Sequence, residues 1–276
     1  MKLAAVITTR NEADNIANCI RAFDGFRDRV EIIVVDNSST DSTKKIAGEL
    51  GAKVFDRGPE RSAQRNFGWR HTSAEWVMVL DADMVLPSRT LAECLKTISR
   101  PDAADAYWIP EIRSGGGIRV KARNFERSFY NGTPIDALRL FRREVLAATG
   151  GYDENLIAGP EDWELDIRVL AAGARCEVFP LPLIHNEKAL SLGRMLAKKA
   201  YYSRSMAAYQ AKWRGHPALK RQFSLGYRYF GVFFGNGGWK RLLRHPVLTA
   251  VMYFERFLVG AVYLVNRNRS AKGAKK

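Results

Sequence analysis

The stretch VMVLDADMVLP, residues 77–87, runs apolar, places two acids one residue apart, and turns apolar again into a proline. A short apolar run bounded in this way reads as a strand covered on both faces, with Asp81 and Asp83 at its carboxyl end. An ionised carboxylate removed from water is costly unless a cation or a hydrogen-bond donor compensates it, so both acids require a partner. Working outward, KLAAVITT, EIIVVDN and AKVFDR have the same strand character. They alternate with the amphipathic stretches NEADNIANCIRAF, TDSTKKIAGELG, RSAQRNFGWRHT and PSRTLAECLKTIS. Asn11, Thr40 and Ser88 are suitable helix caps, and Gly51 stops the helix that starts at Thr40. Repeated β-α-β units predict an α/β domain with a mostly parallel, Rossmann-like sheet and helices on both faces.

In such sheets ligands sit outside the carboxyl ends of the strands. The conspicuous polar groups fall at that edge: Thr8, Arg10, Asn11 and Glu12 after the first strand, Asp36 to Asp41 after the second, Asp81 and Asp83 after the fourth. Residues 105–142 read as irregular strands with a glycine tip at 115–117, EDWELDIRVLAAG at 161–173 as a helix ended by Gly173.

The 276 residues, 46% hydrophobic, suffice for a sizeable core with an appendage. Cys19, Cys94 and Cys176 have neither disulfide-framework nor zinc-site spacing, which fits a reducing, cytosolic setting. The apolar run at the N-terminus is broken at Arg10 and is too short for a secretory signal, so translocation is not expected. The net charge of +15 is unevenly spread: residues 188–276 hold 19 Lys and Arg against Glu255 alone, +18, and residues 1–187 carry −3. That asymmetry divides the chain into a body, 1–187, and a basic, helical C-terminal region, 188–276, facing an anionic surface.

Two carboxylates at the mouth of a parallel sheet can hold Mg2+ or Mn2+ and bridge it to a diphosphate; the plainer reading is a pair of solvated acids. Asp36 could accept from a base or a ribose hydroxyl, with Ser38 beside it, or close a turn. Arg61 and Arg65, one helical turn apart, could clamp one anion or form an ordinary basic face. Glu161 and Asp162, at a helix start that favours negative charge, are candidates for a general base. His185 is either structural or a metal ligand. Lys198, Lys199, Tyr201, Tyr202 and Arg204 would meet the phosphate of a lipid-linked acceptor, or anionic lipid. Over residues 247–265 two mid-segment charges cost roughly 5 to 7 kcal/mol and about a dozen apolar residues return a similar sum, which predicts a helix lying in the membrane interface rather than a span.

Taken together, ITTRNEADNI, VVDNSSTDST, GPERSAQRNFGW, VLDADM and GGYDE followed by GPEDWELDIR resemble, in one order, the inverting family 2 glycosyltransferases of the GT-A fold. The resemblance covers roughly residues 2–187. It implies a nucleotide-sugar donor, a divalent cation at Asp81 and Asp83 completed by His185, a nucleobase contact at Asp36, Arg65 near the donor phosphates, and Asp162 as the catalytic base. Asn37 stands where many members carry a second Asp. The expected function is sugar transfer to a lipid-linked or cell-envelope glycan acceptor, as in lipopolysaccharide-core enzymes, by a protein peripheral or monotopic on the cytoplasmic face of the cell membrane. One alternative is transfer onto polyprenyl phosphate, which needs no strong base. Another is a non-catalytic nucleic-acid-binding protein with a basic arm. That second reading leaves unexplained why acids converge at the ligand edge, so no nucleic-acid partner is expected.

Overall fold

The computed structural model describes residues 2–156, 159–186 and 205–258. Its main sheet has seven strands: β1 (Leu3–Thr9), β2 (Val30–Asp36), β3 (Lys53–Asp56), β4 (Trp76–Asp81), β6 (Ala106–Trp108), β8 (Leu138–Arg142) and β9 (Cys176–Val178), in the order β3-β2-β1-β4-β8-β6-β9. β1 to β4 are mutually parallel where they pair, β8 runs antiparallel to β4 and β6, and β6 is parallel to β9. The mostly parallel sheet is therefore closed on one side by antiparallel pairing.

Alternate residues of each central strand enter different cores. Leu3, Ala5 and Ile7 of β1 join Trp76, Met78 and Leu80 of β4 on one face, whereas Val6, Val77 and Val79 pack on the other. Burial on both faces is why these strands read as continuous apolar runs. The parallel register places Thr8 opposite Asp81 and Thr9 opposite Asp36, so the polar termini of three strands stand at one level.

The helices are α1 (Ile16–Arg21), α2 (Thr43–Glu49), α3 (Arg61–Arg70), α4 (Ser88–Thr97), α5 (Ile118–Arg127), α6 (Arg143–Thr149), α7 (Glu161–Ala171), α8 (Met206–Lys212), α9 (Pro217–Phe223), α10 (Gly238–Arg244) and α11, residues 246–258. Three starts differ from those expected. Asn11 has φ of 54° and its amide oxygen accepts from Thr40 N at 2.8 Å, cross-linking two loops, and α1 begins only at Ile16. Asp41, not Thr40, accepts from Thr43 N at 3.0 Å at the start of α2, and Ser88 is the first helical residue after Pro87. Gly51 and Gly173 end their helices with positive φ as expected. The larger correction lies at 118–127, read as strand and folded as α5: its apolar residues Ala122 and Phe125 are buried one turn apart, a helical spacing.

α3 rides directly on the sheet. A Cβ on Gly68 would lie 2.3 Å from Val6 Cγ1, an approach only glycine permits. A small second sheet, β5 (Met84–Val85), β10 (Leu183–His185) and β7 (Glu111–Arg113), crosses the mouth of the first.

The basic region folds back onto the body. Tyr209 of α8 is fully buried with Leu156 and Ile167 of α7, and Phe233, Leu242 and Met252 pack on Phe125 and Phe129 at α5. Among the described residues no helix is long and apolar enough to cross a membrane. Of the stretch 247–265, residues 247–258 are helical; 259–265 lie outside the described residues, as do Lys198, Lys199, Tyr201, Tyr202 and Arg204.

Candidate active site

A cavity of about 590 Å³ opens at the carboxyl edge of β1, β2 and β4, walled on the far side by the small sheet, residues 135–139 and the start of α7. Thr8, Arg10, Glu12, Arg61, Asp81, Asp83, Asp162 and His185 all line it. They are eight of the twelve donor, metal and catalytic residues expected from the sequence; of the other four, Asp36, Arg65 and Glu161 are buried beneath the surface and Ser38 is exposed away from it.

Asp81 is compensated by protein groups. Its Oδ1 accepts from the Thr8 hydroxyl at 2.9 Å and from Arg65 Nη2 at 3.1 Å, and Arg61 Nη1 lies 3.5 Å from Oδ2. Burial pushes its carboxyl up, but the Arg65 and Arg61 guanidinium groups outweigh it and hold the group well below the usual carboxylate range. In this structure Asp81, expected to have a cation for a partner, is compensated by two arginines.

Arg65 is fully buried and does not face the cavity, so it does not present its charge to donor phosphates as expected. It donates to Asp162 Oδ1 at 2.7 Å as well as to Asp81, tying the start of α7 to the end of β4. Arg61, one turn earlier and 30% exposed at its side chain, is the arginine that reaches the cavity. The same helix supplies Gln64, whose amide donates to Thr9 O and Val35 O at 3.0 and 2.6 Å and fixes the ends of β1 and β2.

Glu161 and Asp162 separate by geometry. Asp162 lines the cavity, whereas Glu161 is 1% exposed, absent from the lining, and lies 3.3 Å from Arg61 Nη2. Burial, then the neighbouring Asp162, push the Glu161 carboxyl up. Glu161 therefore lies against the two arginines and does not reach the cavity. Asp36 is also fully buried: its two oxygens accept from Ser39 N and Ser39 Oγ at 2.6 and 2.5 Å, which closes a turn. Ser38 is exposed with φ of 56°, and Asn37 is the member of this loop that lines the cavity. The plainer turn reading of Asp36 is the one the structure has.

Asp83 and His185 meet across the two sheets. His185 Nε2 lies 3.1 Å from Asp83 Oδ2 and Nδ1 3.3 Å from Glu111, a residue that the sequence reading missed. Burial works against protonation of His185, but its hydrogen bonds to Asp83 and Glu111 dominate and raise it to about 9. Glu111 is in turn held by Arg139 at 3.0 Å and by Arg127; burial raises its carboxyl and these two guanidinium groups drive it well below the ordinary range. Among the described residues no group of three or more His, Cys, Asp and Glu side chains is arranged to hold a metal ion. Asp83 and His185 would fit a hard divalent cation once the ion displaces the proton that His185 Nε2 shares with Asp83, the other nitrogen being oriented by Glu111 and the cavity having room for further oxygen ligands.

Arg127, Asp136 and Arg139 complete the wall. Burial raises the Asp136 carboxyl to about 7. A signal for Asp136 and Arg139 existed: DALRLFRR, 136–143, carries charge inside an apolar run, as VMVLDADM does.

Residues 4–150 match the family described as Glycosyl transferase family 2. The chain belongs to glycosyl transferase family 2. An uncharacterised glycosyltransferase of Rickettsia felis is 36% identical over 114 residues, 41% of this chain and 39% of that one. The chain spans about two fifths of the length of the first curated relatives it matches. The fold is shared with a mannosyltransferase from Pyrobaculum calidifontis in complex with GDP-Man and Mn2+, at a TM-score of 0.59 and 21% identity, covering 98% of this chain and 80% of that one. It is shared likewise with glucosyl-3-phosphoglycerate synthase from Mycobacterium tuberculosis in complex with Mn2+, UDP and glucosyl-3-phosphoglycerate, at a TM-score of 0.58 and 18% identity, covering 76% and 79%. The GT-A architecture of family 2 thus accounts for the sheet and for the position of its cavity.

Proposed function

We propose that this family 2 chain is an inverting glycosyltransferase that moves a sugar from a nucleoside-diphosphate sugar to a hydroxyl of a lipid-linked or cell-envelope glycan, at the cytoplasmic face of a membrane. One observation carries the reading: Asp162 and the Asp83–His185 pair line a single cavity together with Arg10, Arg61 and Arg139. The acids stand where a base and a cation are needed, and the arginines where a diphosphate would accumulate charge. The neighbours solved with GDP-Man or UDP and Mn2+ support a donor and a cation of these classes.

Asp162 is held at Oδ1 by Arg65, which fixes the carboxylate against the cavity wall. It takes the proton of the acceptor hydroxyl as that oxygen attacks the anomeric carbon from the face opposite the diphosphate. The bond from the anomeric carbon to the phosphate oxygen breaks, its electron pair leaves with the nucleoside diphosphate, and the anomeric configuration inverts. Arg61 and Arg10 meet the leaving negative charge. A divalent cation held by Asp83 and His185 would supply further charge neutralisation to the diphosphate.

Isothermal titration with UDP-, GDP- and dTDP-sugars, with Mg2+ or Mn2+, tests the reading. The expected result is cation-dependent binding of one donor, lost in Asp83→Ala and kept in Asp162→Asn, whose turnover falls by about 10² to 10⁴. Turnover that survives in Asp162→Asn would instead assign an acceptor phosphate, which needs no base. Absence of binding to every donor would refute the proposal.

A further inference from the structure

Among the described residues fourteen large apolar side chains are exposed, and ten of them lie between residues 223 and 258. An apolar surface of this density, outside any cavity, marks an interaction site. Its origin is visible in α10 and α11. Leu242 and Met252 face the core on Phe125 and Phe129, while Leu243, at 71% exposed, points away beside them. On α11, Val247, Phe254 and Leu258, at 63, 68 and 53% exposed, recur at intervals of seven and four and so form one stripe, roughly opposite the packed residues Leu248 and Met252. A helix needs one apolar face to join a core; α11 has two.

The charge around this second face selects its occupant. The exposed cations of the segment are Lys240, Arg241 and Arg244, Arg256 being turned inward onto Glu126, and its one acid, Glu255, is paired with Arg119 at 2.6 Å. Lys240 lies 5.7 Å from the Trp239 ring, an exposed cation beside an exposed indole. A second copy would bring like charge against like charge. Residues 259–276 of the chain carry five Lys and Arg and no acid, so they complement this face no better. Exposed Phe, Leu and Trp interleaved with Lys and Arg fit the headgroup level of an anionic bilayer, where apolar groups enter the acyl boundary and cations remain with phosphate.

We infer that the exposed face of residues 223–258, built from α10, α11 and the turn before them, is a docking surface for an anionic lipid bilayer. It deepens the membrane part of the proposed function and rests on that reading, while remaining separate from the donor chemistry. The surface is also joined to the site: it packs on α5, whose last residue Arg127 lines the cavity and is bonded to Glu111. Docking would set the acceptor edge of the cavity at a defined distance from the lipid headgroups.

The experiment is sedimentation of the full chain with vesicles of phosphatidylcholine alone or with 30% phosphatidylglycerol. The parent is compared with Leu243→Glu/Phe254→Glu and with Lys240→Glu/Arg244→Glu, thermal melting confirming that each is folded. Expected is binding to the anionic vesicles that weakens with added salt, falls by at least about tenfold in the apolar double variant, and falls by about tenfold in the basic one. Binding to neither vesicle overturns the inference, and so does binding unchanged in the apolar variant. Sedimentation velocity without lipid showing a dimer that Leu243→Glu/Phe254→Glu dissociates would also overturn it and assign the face to a second copy. Titration of the same variants with nucleotide-sugar, without vesicles, reads the donor site separately, so loss of lipid binding with intact donor binding leaves the catalytic reading in place.

Discussion

At the residue scale, Arg65 does most to organise the site. It is a fully buried guanidinium between Asp81 and Asp162, and a buried charge left without its counter-charge is far costlier than the pair is beneficial. Arg65→Ala is therefore expected to lower stability by about 3 to 5 kcal/mol, read from urea unfolding, as well as to abolish turnover. Arg65→Lys keeps the charge but gives up the fork that spans both carboxylates; it should fold better than the alanine variant and still lose most activity, because Asp162 is no longer held. Glu161 provides the contrast. Since it does not reach the cavity, Glu161→Gln should retain donor affinity and turnover within about an order of magnitude, whereas Asp162→Asn loses turnover by about 10² or more. Equal losses in the two variants would refute the separation of their roles.

At the scale of elements, α3 and the small second sheet position the chemistry. α3 lies close enough to β1 that Gly68 cannot carry a side chain without moving Val6, and the same contact sets Arg61, Gln64 and Arg65 at the ends of β1, β2 and β4. Gly68→Ala is predicted to cost about 1 to 3 kcal/mol, since overpacking forces a backbone shift, and to raise the donor KM as Arg61 moves from the cavity. A thermal melt unchanged within 1 °C would contradict the close packing. The second sheet acts differently. β10 pairs His185 with Met84 and Arg113, and this register, rather than any feature near His185 in the chain, sets its imidazole against Asp83 and Glu111.

At the scale of the molecule, the pH dependence of stability reflects buried carboxyls of opposite tendency. Asp136, raised to about 7 by burial, keeps in the folded protein a proton that the unfolded chain releases near pH 4. The stability contributed by that proton is complete below about pH 4 and lost as the pH rises through 7. Asp166 is raised in the same direction, again chiefly by burial, with Trp108 Nε1 donating to it at 2.9 Å. The unfolding midpoint in urea should therefore fall as the pH rises from about 4 to 7 and level off above that, and in Asp136→Asn, which has no carboxyl to ionise, this part of the slope should flatten. A parallel pH profile in the variant would show that Asp136 does not titrate there.

Much of the body was legible in the chain because parallel strands buried on both faces leave unbroken apolar runs, and polar residues that interrupt them fall at one edge. Asp81 and Asp83 are picked out in that way, and the family resemblance includes the same run; Arg61, Asp162 and His185 come from helical spacing, a helix start and the resemblance, and the structure brings all five to one cavity. α5 was not legible: the glycines before it and its five charged residues hide a helix whose apolar face is completed by Phe233 and Met252, more than a hundred residues later. The sequence by itself determined the order of the elements up to about residue 100, the polar edge of the sheet and the charge of the C-terminal region, since periodicity and composition are local properties. Only the tertiary structure decided that Arg65 faces Asp81 and Asp162 instead of solvent, that Asp36 closes a turn, and that Glu111, Arg139 and Asp136 join the cavity. Those assignments depend on which charges end within a few ångströms of one another after strands distant in the chain have paired.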